Sequence, residues 1–204
     1  MHDNLAKIQQ QAILTLLDEV MSVLRDNKPF NPNSPVLGKI ESIANDPGYP
    51  GGVYIFDNDA LPPARMTFST GADPLDYTED RMKVPVVPAA FEILFTGSLV
   101  EVDRLLLEKR LDLADYWIDS ETGERKENDM GPGFLPQERI HRYRYRAKGH
   151  LNTRISVNVN LDYSDPDASD PTSIPKLLHA SIKRAYQILT PEQRKQKREE
   201  KSNP

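Results

Sequence analysis

Apolar residues in the first 25 positions recur with a helical period. Ile13, Leu17, Val20 and Leu24 are spaced four, three and four apart, which predicts a one-faced helix over 4–25. Asp3 or Asn4 is available as its N-cap, and the following "DNKPFNPNSP" ends it. The same spacing returns in Leu178, Ile182, Ala185 and Leu189, predicting a second helix over 174–189 with Thr172 or Ser173 as cap and Pro175 in the first turn. Beyond it, Thr190-Pro191-Glu192 can cap a helical turn or two. Residues 192–204 carry no apolar face and read as a frayed, solvated tail.

Between the two helical patterns the period falls to two. "GGVYIF" (51–56), "ARMTFST" (64–70) and "AAFEILFTG" (89–97) predict strands bounded by Gly, Pro and Asp. The cleanest alternation is at 153–163, where Ile155, Val157, Val159, Leu161 and Tyr163 are separated by Ser156, Asn158, Asn160 and Asp162. One buried face and one wet face indicate an antiparallel sheet. Residues 99–117 fit two patterns: Leu99, Val102 and Leu106 line a helix, whereas "RLDLADYWID" also alternates. A helix over 99–109 is favoured, followed by a hairpin arm at 110–128 turning through "SETG" (120–123).

These elements predict an α+β fold, a mostly antiparallel sheet from 51–56, 64–70, 90–96 and 140–163 packed by N- and C-terminal amphipathic helices. A single domain over 1–190 would carry long Pro-rich arms at 26–50, 71–88 and 119–137, with a charged, flexible tail at 191–204. Within the first arm only "VLGKIESIA" suggests local structure, a short helix. Connections this long are usually functional arms or lids.

Composition narrows the function. The 204 residues include 17 Pro and 10 Gly, and hydrophobic residues make up 38%. With no cysteine, disulfides, thiolate catalysis and cysteine-bound zinc are excluded. No basic segment followed by an apolar run opens the chain, and no run of 18 apolar residues occurs, so a soluble protein made in the cytoplasm and away from membranes is expected. A net charge of -5 gives no overall pull toward nucleic acid.

The charge is nevertheless uneven. From 138 to 154, Arg139, Arg142, Arg144, Arg146, Lys148 and Arg154 face one acid, Glu138, for a local charge of +5. If 140–146 is a strand, Arg142, Arg144 and Arg146 share one face, while His141, Tyr143 and Tyr145 share the other. Binders of single-stranded nucleic acid place rings and cations together, so this separation favours an arginine face meeting solvent or an acidic surface. Residues 101–129 supply such a surface: ten acids, among them Asp112, Asp115 and Asp119, against five bases. Two opposite patches on one chain suit either an intrachain match or a head-to-tail contact between copies. The candidate interface is therefore Arg139, Arg142, Arg144, Arg146, Lys148, Asp112, Asp115 and Asp119.

No catalytic residue, metal site or cofactor is read from the sequence, and no enzyme is expected. "YSDPDASD" clusters Asp165, Asp167 and Asp170 but lacks the Gly and Glu of a calcium loop. Asp57 and Asp59 follow a strand, where a metal-dependent hydrolase would hold ligands, yet turn chemistry explains them equally. The histidines (His2, His141, His150, His179) show no i, i+4 ligand pairing. P-loop, dinucleotide and nucleophile-elbow motifs are absent from the sequence.

The order of elements resembles that of bacteriophage tail-terminator and neck proteins. The resemblance runs through the N-terminal helix, "GGVYIF", a long arm, "VPAAFEILFTG" leading into a helical segment, and the late strand "ISVNVNLDY". It covers about two thirds of the chain as an order of elements and includes no specific motif. The chain departs from the pattern in the acidic insertion 110–137 and in the helix expected at 174–189. The resemblance implies a non-enzymatic structural subunit of the virion, assembled in the host cytoplasm as a homo-oligomeric ring, often a hexamer, in contact with other virion proteins. The runner-up is a nucleic-acid-binding accessory protein using the 139–148 stripe.

Overall fold

A computed structural model describes residues 2–45, 47–96, 101–132, 140–165 and 174–202. Helix α1 (His2–Leu24) is followed by β1 (Lys39–Ala44), β2 (Val53–Asp57), β3 (Ala64–Ala72) and β4 (Val86–Phe95). Then come α2 (Arg104–Arg110), the short pair β5 (Trp117–Ile118) and β6 (Arg125–Lys126), β7 (Asp129–Pro132), β8 (Ile140–Arg146), β9 (Val157–Ser164), β10 (Leu177–Arg184) and α3 (Pro191–Ser202). Eight strands form one sheet in the order β1-β2-β3-β4-β10-β9-β8-β7, with every neighbouring pair antiparallel. The fold is α+β, a large antiparallel sheet with a helix at each end of the chain.

The core follows from the two periods. Along β3, β4 and β9 alternate residues are buried: Met66 and Phe68, then Phe91, Ile93 and Phe95, then Val157, Val159, Leu161 and Tyr163. Ile13, Leu17, Val20 and Leu24 of α1 are fully buried against them, and the helix lies over β4 and β10. Burial of this many large side chains on one sheet face is the main stabilising contribution, at roughly 1.5–3 kcal/mol each. Residues 26–38 are tied to the same core: the Phe30 ring stacks on Phe68 at 4.2 Å and meets Tyr54 edge-on at 5.2 Å.

Three elements differ from the sequence expectation. "VLGKIESIA" contains edge strand β1 and no helix. Gly38, with φ at +94°, lies so close to β2 that a Cβ would stand 2.3 Å from the Asp57 carbonyl oxygen, so only glycine permits the approach with which β1 begins its pairing. Residues 177–184 form β10, a central strand, in place of a helix over 174–189. The register slips between Leu177 and His179, so Leu177, Ala180 and Ile182 all reach the core. Of Leu178, Ile182, Ala185 and Leu189, whose spacing predicted the helix, only Ile182 is buried, so that spacing does not mark one face. The expected caps Thr172 and Ser173 lie outside the described residues. Finally, the expected tail contains α3. Thr190 and Gln193 cap each other reciprocally, with Gln193 N–H donating to Thr190 Oγ1 (3.3 Å) and Thr190 N–H to Gln193 Oε1 (2.9 Å). Arg198 donates to the Tyr77 carbonyl, and Lys201 sits 4.6 Å above the Tyr77 ring, which anchors α3 to the 71–88 connection.

Two further expected elements are present in altered form. Helix 99–109 shortens to α2, and the 110–128 arm contains the β5–β6 hairpin around "SETG". In the 119–137 arm, residues 133–137 lie outside the described residues.

Candidate functional site

Strand β8 shows the expected division of faces in part, with Arg142 and Arg146 half-buried. Tyr145 is fully buried and Tyr143 packs against the core, while Arg144 on the opposite parity is exposed. The acidic insertion lies along the same strand. Ala114 N–H donates to the Arg146 carbonyl (2.8 Å), Arg146 N–H to Tyr116 (2.9 Å) and Arg144 N–H to Asn128 (2.9 Å), so residues 113–128 cover what would be an open edge.

Side chains extend that match. The Arg144 guanidinium lies 5.0 Å over the Trp117 ring, and Lys148 Nζ pairs with Asp112 Oδ1 at 2.9 Å. The hydrogen bond from Lys148, and a weaker one from His150, hold the Asp112 carboxyl below its ordinary range. Asp119 accepts from the backbone N–H groups of Glu121 and Thr122 and pairs with Lys126, shaping its own turn. Asp115 is exposed. Burial lowers the pKa of Arg146, and Arg142 stands opposite Asp162 of β9. Arg139 lies outside the described residues. Acidic and basic stretches therefore meet within one subunit at Lys148 and Asp112.

Behind β8, on the core side, is a cleft of about 660 Å³ between the start of α2, β8, the end of β9, Gln10 of α1 and residues 174–175. Asp103 caps α2 by accepting from Leu105 N–H at 3.2 Å, which fixes Arg104 at the cleft wall. Arg104 pairs with Glu108, donates to Tyr145 Oη (3.2 Å) and lies 4.6 Å over the Tyr143 ring. Tyr145 in turn donates to Glu108 Oε1 at 2.7 Å. Burial, and then this hydrogen bond to a carboxylate, push the Tyr145 phenol well above its ordinary value. Burial works against the Arg104 charge, but its contacts with Tyr145 and Glu108 outweigh that and raise its pKa. His141 Nε2 lies 2.6 Å from Asp129 Oδ1, and His141 Nδ1 lies 3.9 Å from Asp165. Gly131 N–H, followed by His141, holds Asp129 below the usual carboxylate range. Tyr163, also on the lining, is 2% exposed, and its hydroxyl has no hydrogen-bond partner among the described residues.

The opposite sheet face holds a third group. His179 lies 3.1 Å from Asp162 and 3.1 Å from Glu92, one contact on each ring nitrogen. Burial opposes its charge; the Asp162 contact and then the Glu92 charge prevail, so its pKa is raised. Asp59 pairs with Lys39 at 3.4 Å, and among the described residues no group of three His, Asp or Glu side chains is arranged to hold a metal ion. Asp165 lines the cleft, while Asp167 and Asp170 lie outside the described residues.

Sequence reasoning found the arginine face but not the Arg104–Glu108–Tyr145 triad or the unpartnered Tyr163 hydroxyl. Tyr163 reads as one more core position in an alternating strand, and only the neighbouring elements reveal the cleft. No protein-family model, curated protein or solved structure matches the chain. No described helix is long and apolar enough to cross a membrane.

Proposed function

We propose that this chain is a non-enzymatic assembly subunit of a phage particle, of the tail-terminator or neck kind, forming a ring through head-to-tail contacts. The observation that carries the reading is the long exposed sheet edge at β1. At the β8 side the insertion 113–132 occupies the backbone groups. At the other side β1 is exposed at five of its six positions, and among the described residues no strand lies beside its outer backbone groups. Exposed Ile43, Val53 and Tyr49 border that edge, with Tyr49 72% exposed. An unpaired edge flanked by apolar side chains is a template for another chain.

A second apolar set lies elsewhere. Leu5 and Ile8 on the first turns of α1 are exposed, as are Leu105 and Leu106 on α2, which sits against β8 through Arg104 and Tyr145. Two different patches at different ends of one sheet suit a heterologous contact that closes into a ring. The charges of Lys148 and Asp112 are met inside the subunit, which shifts the intersubunit contact from ion pairs to the β1 edge.

Electron microscopy of the purified protein tests the reading. Closed rings of uniform diameter are the expected result. Dispersed single subunits that instead bind nucleic acid, with affinity falling steeply with salt, would replace it with the accessory-protein reading.

A further inference from the structure

We propose that the cleft behind β8 is a binding site for a small organic cation: an amine carrying an apolar, preferably aromatic, body and a second polar group. Its volume of about 660 Å³ is within the range of small-molecule sites. The walls combine apolar surface from Val102, Leu105 and Tyr143 with the carboxylates of Asp103 and Asp165, while Glu101 is already met by Lys176 at 3.6 Å. Arg104 is the opposing cation, and its charge is directed at Glu108 and the face of Tyr143, leaving it poorly placed to receive an anion. The lining thus favours positive charge.

The Tyr163 hydroxyl supplies the second, independent observation. Tyr163 lines the cleft and its hydroxyl is buried with no hydrogen-bond partner among the described residues, a condition that costs about 1–3 kcal/mol unless another group satisfies it. A ligand whose apolar body fills the cleft can place a hydroxyl or carbonyl against Tyr163 while its ammonium meets Asp165 and Asp103. Carboxylate and phenol lie on the same strand end: Tyr163 points into the core side, and Asp165 follows two residues later as β9 ends. The cleft is separate from the β1 edge, and it shares only Leu105 with the second apolar set of the assembly contact, so oligomeric mass is read beside binding.

Tyramine and its matched anion 4-hydroxyphenylacetate test this by titration calorimetry on the full chain at low salt. Tyramine should bind saturably and the anion should not. Tyr163→Phe should weaken tyramine by roughly threefold to tenfold, while the free variant melts at the same temperature or higher because an unsatisfied hydroxyl is gone. Asp165→Asn, at the mouth of the cleft, should weaken tyramine by a similar factor and leave the oligomeric mass unchanged. Equal or tighter binding of the anion, no saturation by tyramine up to about 10 mM, or unaltered affinity in both variants would overturn the proposal.

Discussion

The Arg184 guanidinium, on the central strand β10, donates its Nε–H to the carbonyl of Leu24, the last residue of α1, at 2.8 Å. It also donates to the carbonyls of Val23 (3.2 Å) and Pro88 (3.0 Å) and to the Asn27 side chain (2.6 Å). A helix ends with carbonyls that have no partner in the next turn, and a cation there also meets the negative end of the helix dipole. Arg184, only 9% exposed, satisfies both demands and locks α1 to the sheet. Arg184→Ala should therefore destabilise the fold by about 3 kcal/mol in urea unfolding. Arg184→Lys should recover only part of that, because an ammonium cannot reproduce the planar fork.

His179 makes stability depend on pH in a defined direction. Glu92 on β4 and Asp162 on β9 face its ring, with Arg142 opposite Asp162 and Arg65 sharing a depression with Glu92. Its pKa in the fold is raised above the ordinary 6.5, so folding takes up a proton. That stabilisation is complete below pH 6.5 and disappears as pH climbs through the raised value. The melting temperature should be higher at pH 6 than at pH 8, and His179→Gln should reduce the difference.

Helix α3 touches the remainder through Arg198 and Lys201 at Tyr77, contacts at the surface. Removal of residues 190–204 should leave a folded protein and cost no more than about 1 kcal/mol. Circular dichroism melts of the shortened chain check this.

The single tryptophan, Trp117, reports on how the acidic hairpin docks on β8. Arg144→Ala should alter its fluorescence emission and cost about 0.5–1 kcal/mol. Lys148→Ala, which removes an exposed pair with Asp112, should cost less than about 1 kcal/mol and leave the emission unchanged.

Much of the fold was legible because burial imposes periodicity. Ile13 to Leu24 and Ile155 to Tyr163 each lie against one continuous core, so their spacing states their geometry. Strand β10 was hidden because Leu178, Ile182, Ala185 and Leu189 happen to recur at helical spacing, although only Ile182 among them is buried in the core. Strand β1 was hidden because an exposed edge leaves no alternation to read, and α3 because its capping box and surface contacts need no apolar face. The arginine face of β8 followed from parity alone, whereas its partners Trp117 and Asp112 depended on how the insertion folds back. The cleft is assembled from residues as distant as Gln10 and Tyr163, and no local pattern marks such a convergence.

Light scattering on the wild-type chain and on Ile43→Lys tests the assembly claim most directly. Ile43 is exposed at the β1 edge, so the substitution leaves the subunit core untouched while placing a charge where a neighbouring strand would pair. The wild type should give one discrete multiple of 23.1 kDa that persists at high salt, and the variant should fall to a single 23.1 kDa subunit. A wild-type mass of 23.1 kDa at every concentration, or a variant mass identical to an oligomeric wild type, would contradict assembly through this edge.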